Sequence, residues 1–140
     1  MKKTLSIVLL FVTLVAALLF APSCATPGGE LWENAIYKED ATLGDGAKTV
    51  TVTVEAGEKS VTLTLKTDKE TLGDALMEHG LVSGDMGDFG LYLKYVNGIR
   101  ADYDLDRSYW GFYKNGEYMM VGVDGANIKD GEQYELVYSK

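Results

Sequence analysis

Residues 48–67 read KTVTVTVEAGEKSVTLTLKT. In the first half Val50, Val52 and Val54 alternate with Thr49, Thr51 and Thr53; in the second, Val61, Leu63 and Leu65 repeat the device. A side-chain period of two places all six aliphatic residues on one face of an extended chain, so the stretch predicts two half-buried strands joined at Ala56 to Glu58. The period then changes. Leu72, Ala75, Leu76 and His79 recur at helical intervals, Thr67 and Glu70 have capping-box spacing before them, and Gly80 stands where a left-handed residue would close the helix. Downstream, a glycine-rich stretch from Gly84 to Gly90 precedes a strand over Leu91–Val96, ended by the turn dipeptide Asn97-Gly98. A second hairpin is predicted from Tyr109–Lys114, Asn115-Gly116 and Glu117–Val121, and the chain closes with an alternating Gln133–Tyr138 after Asp130-Gly131. The order strand, strand, helix, strands predicts an α+β domain: a β-grasp-like mixed sheet with one main helix packed across it.

Working toward the N-terminus, Met1-Lys2-Lys3 is a positive start, and Leu5 to Ala21 is an uncharged apolar run followed by Pro22, Ser23 and Cys24. The run resembles a bacterial lipoprotein signal, in which a small residue precedes a cysteine that is acylated after cleavage. Ser23 and Cys24 match that pattern, while Ala21 stands where leucine is usual; ordinary cleavage and retention as an anchor are the alternatives. Residues 1–23 are therefore expected to be a lipoprotein signal peptide and Cys24 a lipid anchor. Residues 24–47, with Pro27, Gly28, Gly29, Gly44 and Gly46, read as a tether, leaving 48–140 as the folded domain. Trp32 and Tyr37 are the tether residues suited to docking on it. The expected location is outside the cytoplasm, at the cell membrane or cell surface.

Composition excludes several functions. Loss of Lys2 and Lys3 with the leader leaves 11 basic against 21 acidic residues, about −10, which disfavours contact with phosphate backbones and argues against nucleic acid as a partner. One cysteine and one histidine in 140 residues allow no intrachain disulfide, no Cys/His zinc cluster and no choice of catalytic pair. The Gly84–Gly90 stretch lacks phosphate-loop spacing. Asp102, Asp104 and Asp106 open like a calcium loop, but no glycine follows at the sixth position and Tyr113 occupies the closing glutamate's place, so they read as a solvated loop. His79 reads as a packing residue at the helix end. No enzyme, metal site or cofactor is expected.

Nine of the thirteen aromatic residues after residue 23 fall between Phe89 and Tyr118. A strand needs one apolar face, and Tyr109-Trp110-Gly111-Phe112-Tyr113 has aromatic residues on both, so some rings should be exposed. Tyrosine and tryptophan offer rigid contact area with a polar tip, suited to a flat or amphipathic ligand. The alternative places Trp110 and Phe112 in the core, with Tyr109 and Tyr113 as ordinary sheet tyrosines on the other face. Met119 and Met120, beside Gly122, form a soft apolar patch that serves either contact or core.

With these residues in view, the chain resembles the transcobalamin-like C-terminal domain family over residues 48–138. The carriers are Thr71-Leu72-Gly73-Asp74-Ala75-Leu76, Val96-Asn97-Gly98-Ile99, Tyr109-Trp110-Gly111-Phe112-Tyr113-Lys114-Asn115-Gly116, and Gly122-Val123 with Lys129-Asp130-Gly131-Glu132. The resemblance implies a β-grasp of the soluble-ligand-binding kind. In animal cobalamin carriers the corresponding domain closes over a corrinoid held by a helical domain; no counterpart of that domain is expected in this chain, and His79 does not match its axial histidine. By analogy the ligand-binding residues would be Tyr109, Trp110, Phe112, Tyr113, Tyr118, Met119, Met120 and Gly122. The implied function is a surface lipoprotein that captures a soluble small molecule, cobalamin or a related corrinoid, and delivers it to a membrane transporter. The competing reading is an adhesion module for protein or glycan. A concave aromatic surface would favour the first and a flat extended face the second.

Overall fold

The computed structural model describes residues 29–88 and 90–140. Among these residues the strands are β1 (Ala41–Gly44), β2 (Lys48–Ala56), β3 (Lys59–Thr67), β4 (Val82–Gly87), β5 (Gly90–Val96), β6 (Ile99–Arg100), β7 (Tyr109–Lys114), β8 (Glu117–Tyr118) and β9 (Gln133–Ser139). The helices are α1 (Leu72–Glu78) and the single-turn α2 (Tyr103–Asp106), with short 3-10 turns at Gly29–Trp32 and Val123–Gly125.

The 48–67 stretch folds as its period requires. β2 and β3 pair antiparallel with Val52 opposite Leu63 and Val54 opposite Val61, and all six aliphatic side chains are buried. They join Leu72, Ala75 and Leu76 of α1 and Leu136 of β9 in one core cluster. β9 returns to lie parallel to β2, and β7 pairs antiparallel with β9, giving a six-stranded mixed sheet in the order β1-β3-β2-β9-β7-β8. A smaller sheet, β4-β5-β6, stands beside it. Hairpin, helix and returning parallel strand make a grasp-like α+β fold. Both Asn-Gly turns form as predicted: Asn97, Gly98, Asn115 and Gly116 all have positive φ, the primed geometry that matches strand twist.

The structure corrects the sequence reading in four places. First, the stretch taken as a tether is folded from Gly29 onward. Trp32 is only 4% exposed and donates its indole N–H to the Ala56 carbonyl at 2.8 Å, with the Lys59 ammonium over its ring. Tyr37 and Asn97 exchange two hydrogen bonds of 2.8 Å, and β1 adds a parallel edge strand to β3. A four-residue edge strand and one anchoring ring are too short to leave a periodic signal. Second, α1 is capped by Thr71, whose hydroxyl accepts the Asp74 N–H at 3.2 Å. The capping box expected at Thr67 is absent because β3 runs through Thr67, which is extended, buried and bonded to Lys69 and Glu78. Gly80, at φ +65°, closes the helix end as predicted.

Third, the glycine-rich stretch is strand β4 as far as Gly87, paired to β5 with a bulge between Ser83 and Gly84. A Cβ on Gly84 would lie 1.8 Å from the Tyr92 carbonyl oxygen, so this strand needs glycine for close approach. Fourth, the strand predicted over Glu117–Val121 ends at Tyr118. The expected signal peptide at residues 1–23, Cys24 and residues 25–28 lie outside the described residues, as does Phe89.

The buried Trp32 supplies a test of the domain boundary. Trp32→Ala should cost about 3–5 kcal/mol in denaturant unfolding of residues 25–140, the usual range for a large aromatic removed from a core. An unchanged midpoint would restore 29–47 to the status of a tether.

Candidate functional site

β7 runs between β9 and β8, but β8 is two residues long and covers only Tyr113 and Lys114. Beside the uncovered part of β7 the chain leaves a hollow of about 560 Å³. Its walls are Leu91, Tyr92 and Leu93 of β5, Tyr103 of α2, Tyr109, Trp110 and Phe112 of β7, Tyr118 of β8, and the segment Met119 to Val123.

Two buried rings serve core and hollow together. Phe112 stacks on Tyr134 of β9, with centroids 5.7 Å apart and planes at 19°, and Trp110 meets Tyr138 edge-on at 5.7 Å. The rim is exposed: Tyr109 at 42%, Tyr118 at 60% and Met120 at 90%. The Met119 N–H donates to the Phe112 carbonyl at 2.9 Å, which carries the chain from the hairpin into the rim segment.

The hairpin itself is tied to β9. The Glu132 carboxylate accepts from Lys114, from the Lys129 N–H and from the Tyr134 hydroxyl at 3.0 Å. Burial works against that carboxylate, yet these hydrogen bonds outweigh it and hold the Glu132 pKa below the ordinary range. The Tyr134 phenol is pushed upward, first by burial and then by Glu132.

Of the eight ligand residues inferred from the sequence, seven line the hollow: Tyr109, Trp110, Phe112, Tyr118, Met119, Met120 and Gly122. Tyr113 is not among them. Its ring meets Tyr118 edge-on at 5.5 Å, so it supports a rim residue. Trp110 and Phe112 are buried core residues, as the alternative reading had them, and they also form part of the hollow's wall. Leu91, Tyr92, Leu93, Tyr103, Val121 and Val123 were missed. Tyr92 and Tyr103 belonged to the aromatic cluster, but no sequence spacing joins β5 and α2 to β7.

Polar groups frame this apolar surface. Asp102 caps α2, its carboxylate accepting the N–H groups of Asp104 at 3.1 Å and Leu105 at 3.4 Å and pairing with Arg100 at 2.9 Å. The three aspartates are thus a capped turn, where the sequence suggested a solvated loop. Burial opposes ionisation of Asp102, but the Arg100 and Leu105 hydrogen bonds prevail and lower its pKa. The Tyr92 phenol is raised, mostly by burial and then by Asp104 and Asp102. Two buried polar atoms at this end of the molecule have no hydrogen-bond partner: Nε1 of Trp110 and Oδ1 of Asp124. His79 sits at the far end of α1 beside Gly44, outside the hollow. Among the described residues no three His, Cys, Asp or Glu side chains are placed to hold a metal ion.

A mixed sheet holding one helix, with an aromatic hollow beside the β7-β8 hairpin, defines a grasp-like α+β domain. Residues 69–140 match the family described as domain of unknown function DUF4430, and the chain belongs to that family. A crystal structure of a protein from Ruminococcus gnavus ATCC 29149, provisionally described as metal-binding, is 32% identical; the match covers 67% of this chain and 98% of that one, with a TM-score of 0.64. Haptocorrin in complex with Cbi matches at 18% identity and a TM-score of 0.54, over 70% of this chain and 26% of haptocorrin, a likeness of fold. No curated protein matches the chain.

The depressed Asp102 pKa gives a pH prediction. A carboxylate whose folded pKa is lowered adds stability above its ordinary value of 3.8, and that stability is lost as pH falls through the lower folded value. Thermal melts of wild type and Asp102→Asn should therefore differ at neutral pH and converge as pH drops below 3.8. A difference independent of pH would remove Asp102 from the acid response.

Proposed function

We propose that this chain is an exported, lipid-anchored protein that captures a corrinoid in the hollow beside β7 and passes it to a membrane uptake system. The observation that carries this reading is the concavity of the aromatic surface. A hollow of about 560 Å³ lies within the size range of small-molecule sites, whereas an adhesive face would be flat and extended. Buried rings form its floor, and exposed tyrosine and methionine form its rim. Such a surface suits one face of a flat macrocycle, with polar tips left for amide edges. The fold shared with haptocorrin, a protein crystallised with Cbi, supports the ligand class. A ligand seated on one face stays open on the other, which suits transfer to a second protein. Cys24, in a lipoprotein-like signal, would keep capture and transfer at the membrane.

Calorimetric titration of residues 25–140 with cyanocobalamin and with cobinamide tests the capture step. Saturable one-to-one binding at micromolar affinity or better is expected, and no heat with either corrinoid would sink the reading in favour of adhesion. Tyr118→Ala, at an exposed rim position, should weaken binding at least about tenfold without lowering the unfolding midpoint. Trp110→Ala should weaken it as well, with a stability cost because Trp110 is also core. For the anchor, Cys24→Ala should move the protein from the membrane fraction to the soluble fraction of the exported material; unchanged fractionation would exclude acylation as the means of attachment.

A further inference from the structure

Asp124 sits in the 3-10 turn Val123–Gly125, and its neighbours Gly122 and Val123 are part of the hollow's wall. Its Oδ2 accepts the Leu91 N–H at 3.1 Å, while its Oδ1 is buried and accepts nothing. A carboxylate oxygen out of water and without a donor is an unusual arrangement, and one that a partner arriving with a donor would relieve. Two glycines surround it. A Cβ on Gly90 would come within 2.7 Å of Oδ1, and one on Gly122 within 3.0 Å. Gly122 has φ −74°, open to any residue, so glycine there leaves space beside the carboxylate without being needed for the turn.

The segment over this space is lightly held. Met119 and Gly122 make backbone hydrogen bonds, to Phe112 and Gly125, but Met120 and Val121 make none among the described residues, and both are exposed. Oδ1 is itself out of solvent, so access to it requires that segment to give way. The charge nearby is mixed: Asp102 and Asp104 act on Tyr92 in the same wall, Lys94 is paired with Asp85, and Arg107 lies over the Tyr103 ring.

We infer that Asp124 is a specificity-determining residue of the hollow, accepting a hydrogen bond from an amide arm of the ligand and rejecting the same ligand when that arm is a carboxylate. The inference rests on the corrinoid reading of the hollow. An amide N–H supplies the donor that Oδ1 lacks, whereas a second carboxylate would leave Oδ1 unpaired and set two like charges together where water is excluded.

The test compares cobinamide, whose side arms are amides, with cobyrinic acid, the same ring bearing carboxylates, by titration of residues 25–140 at low and high salt. Wild type should prefer cobinamide by at least about tenfold at both salt levels, because salt screens the protein's net negative charge but not a buried contact. Asp124→Asn keeps an acceptor for the Leu91 N–H and should narrow the preference to about threefold or less, chiefly by tighter cobyrinic acid binding. Gly122→Ala closes the approach without altering charge; it should lose cobinamide affinity and the preference with it, and it serves if the asparagine variant does not fold. A preference unchanged in these variants, or one that vanishes at high salt in wild type, overturns the role of Asp124 and leaves the corrinoid site standing. Failure of wild type to bind either ring overturns the corrinoid reading and this inference together.

Discussion

The parallel pairing of β9 with β2, from Thr51 opposite Gln133 to Glu55 opposite Val137, is the joint on which the rest of the molecule depends. One side of β9 completes the hairpin sheet, and the other receives β7 along its whole length. Tyr134, almost wholly buried on β9, lies under Phe112, so the same strand that closes the core also sets the height of the hollow's floor. This pairing joins residues some eighty positions apart. Because the partners are so far apart in sequence, local propensity contributes little to it.

Aromatic residues on β7 are shared between the core and the wall of the hollow. Trp110 and Phe112 are packed against Tyr138 and Tyr134, yet both also face the hollow. A folded domain seldom leaves buried polar groups without partners, and when it does the place is worth attention as a strained or functional site. Here the indole N–H of Trp110 and one oxygen of Asp124 are such groups, and both belong to residues in or directly behind the same wall. The third such group among the described residues, Nε2 of His79, lies outside the hollow.

How far the sequence could be read follows from the range of the interactions involved. The 48–67 hairpin, the Asn97-Gly98 and Asn115-Gly116 turns, the Gly80 stop and the aromatic excess of β7 were legible because each depends on neighbours within a few residues. Edge strand β1, the Thr71 cap and strand β4 were not. β1 is four residues long, the cap depends on where β3 stops, and β4 holds Gly84 because the Tyr92 carbonyl crosses close to it. In each case the deciding contact lies outside the local pattern.

By itself, the sequence determined the order of elements, the buried face of the hairpin, the acidic surface and the stock of aromatic residues from which a site could be built. Only the tertiary structure decided that Trp32 and β1 belong to the domain, that Tyr113 supports Tyr118 from outside the hollow, and that Leu91, Tyr92, Leu93 and Tyr103 complete the wall. Period and turn chemistry act through bonds a few residues long. A hollow is made by segments from residues 91 to 123 meeting in space, and their meeting is governed by sheet pairing that no local stretch encodes.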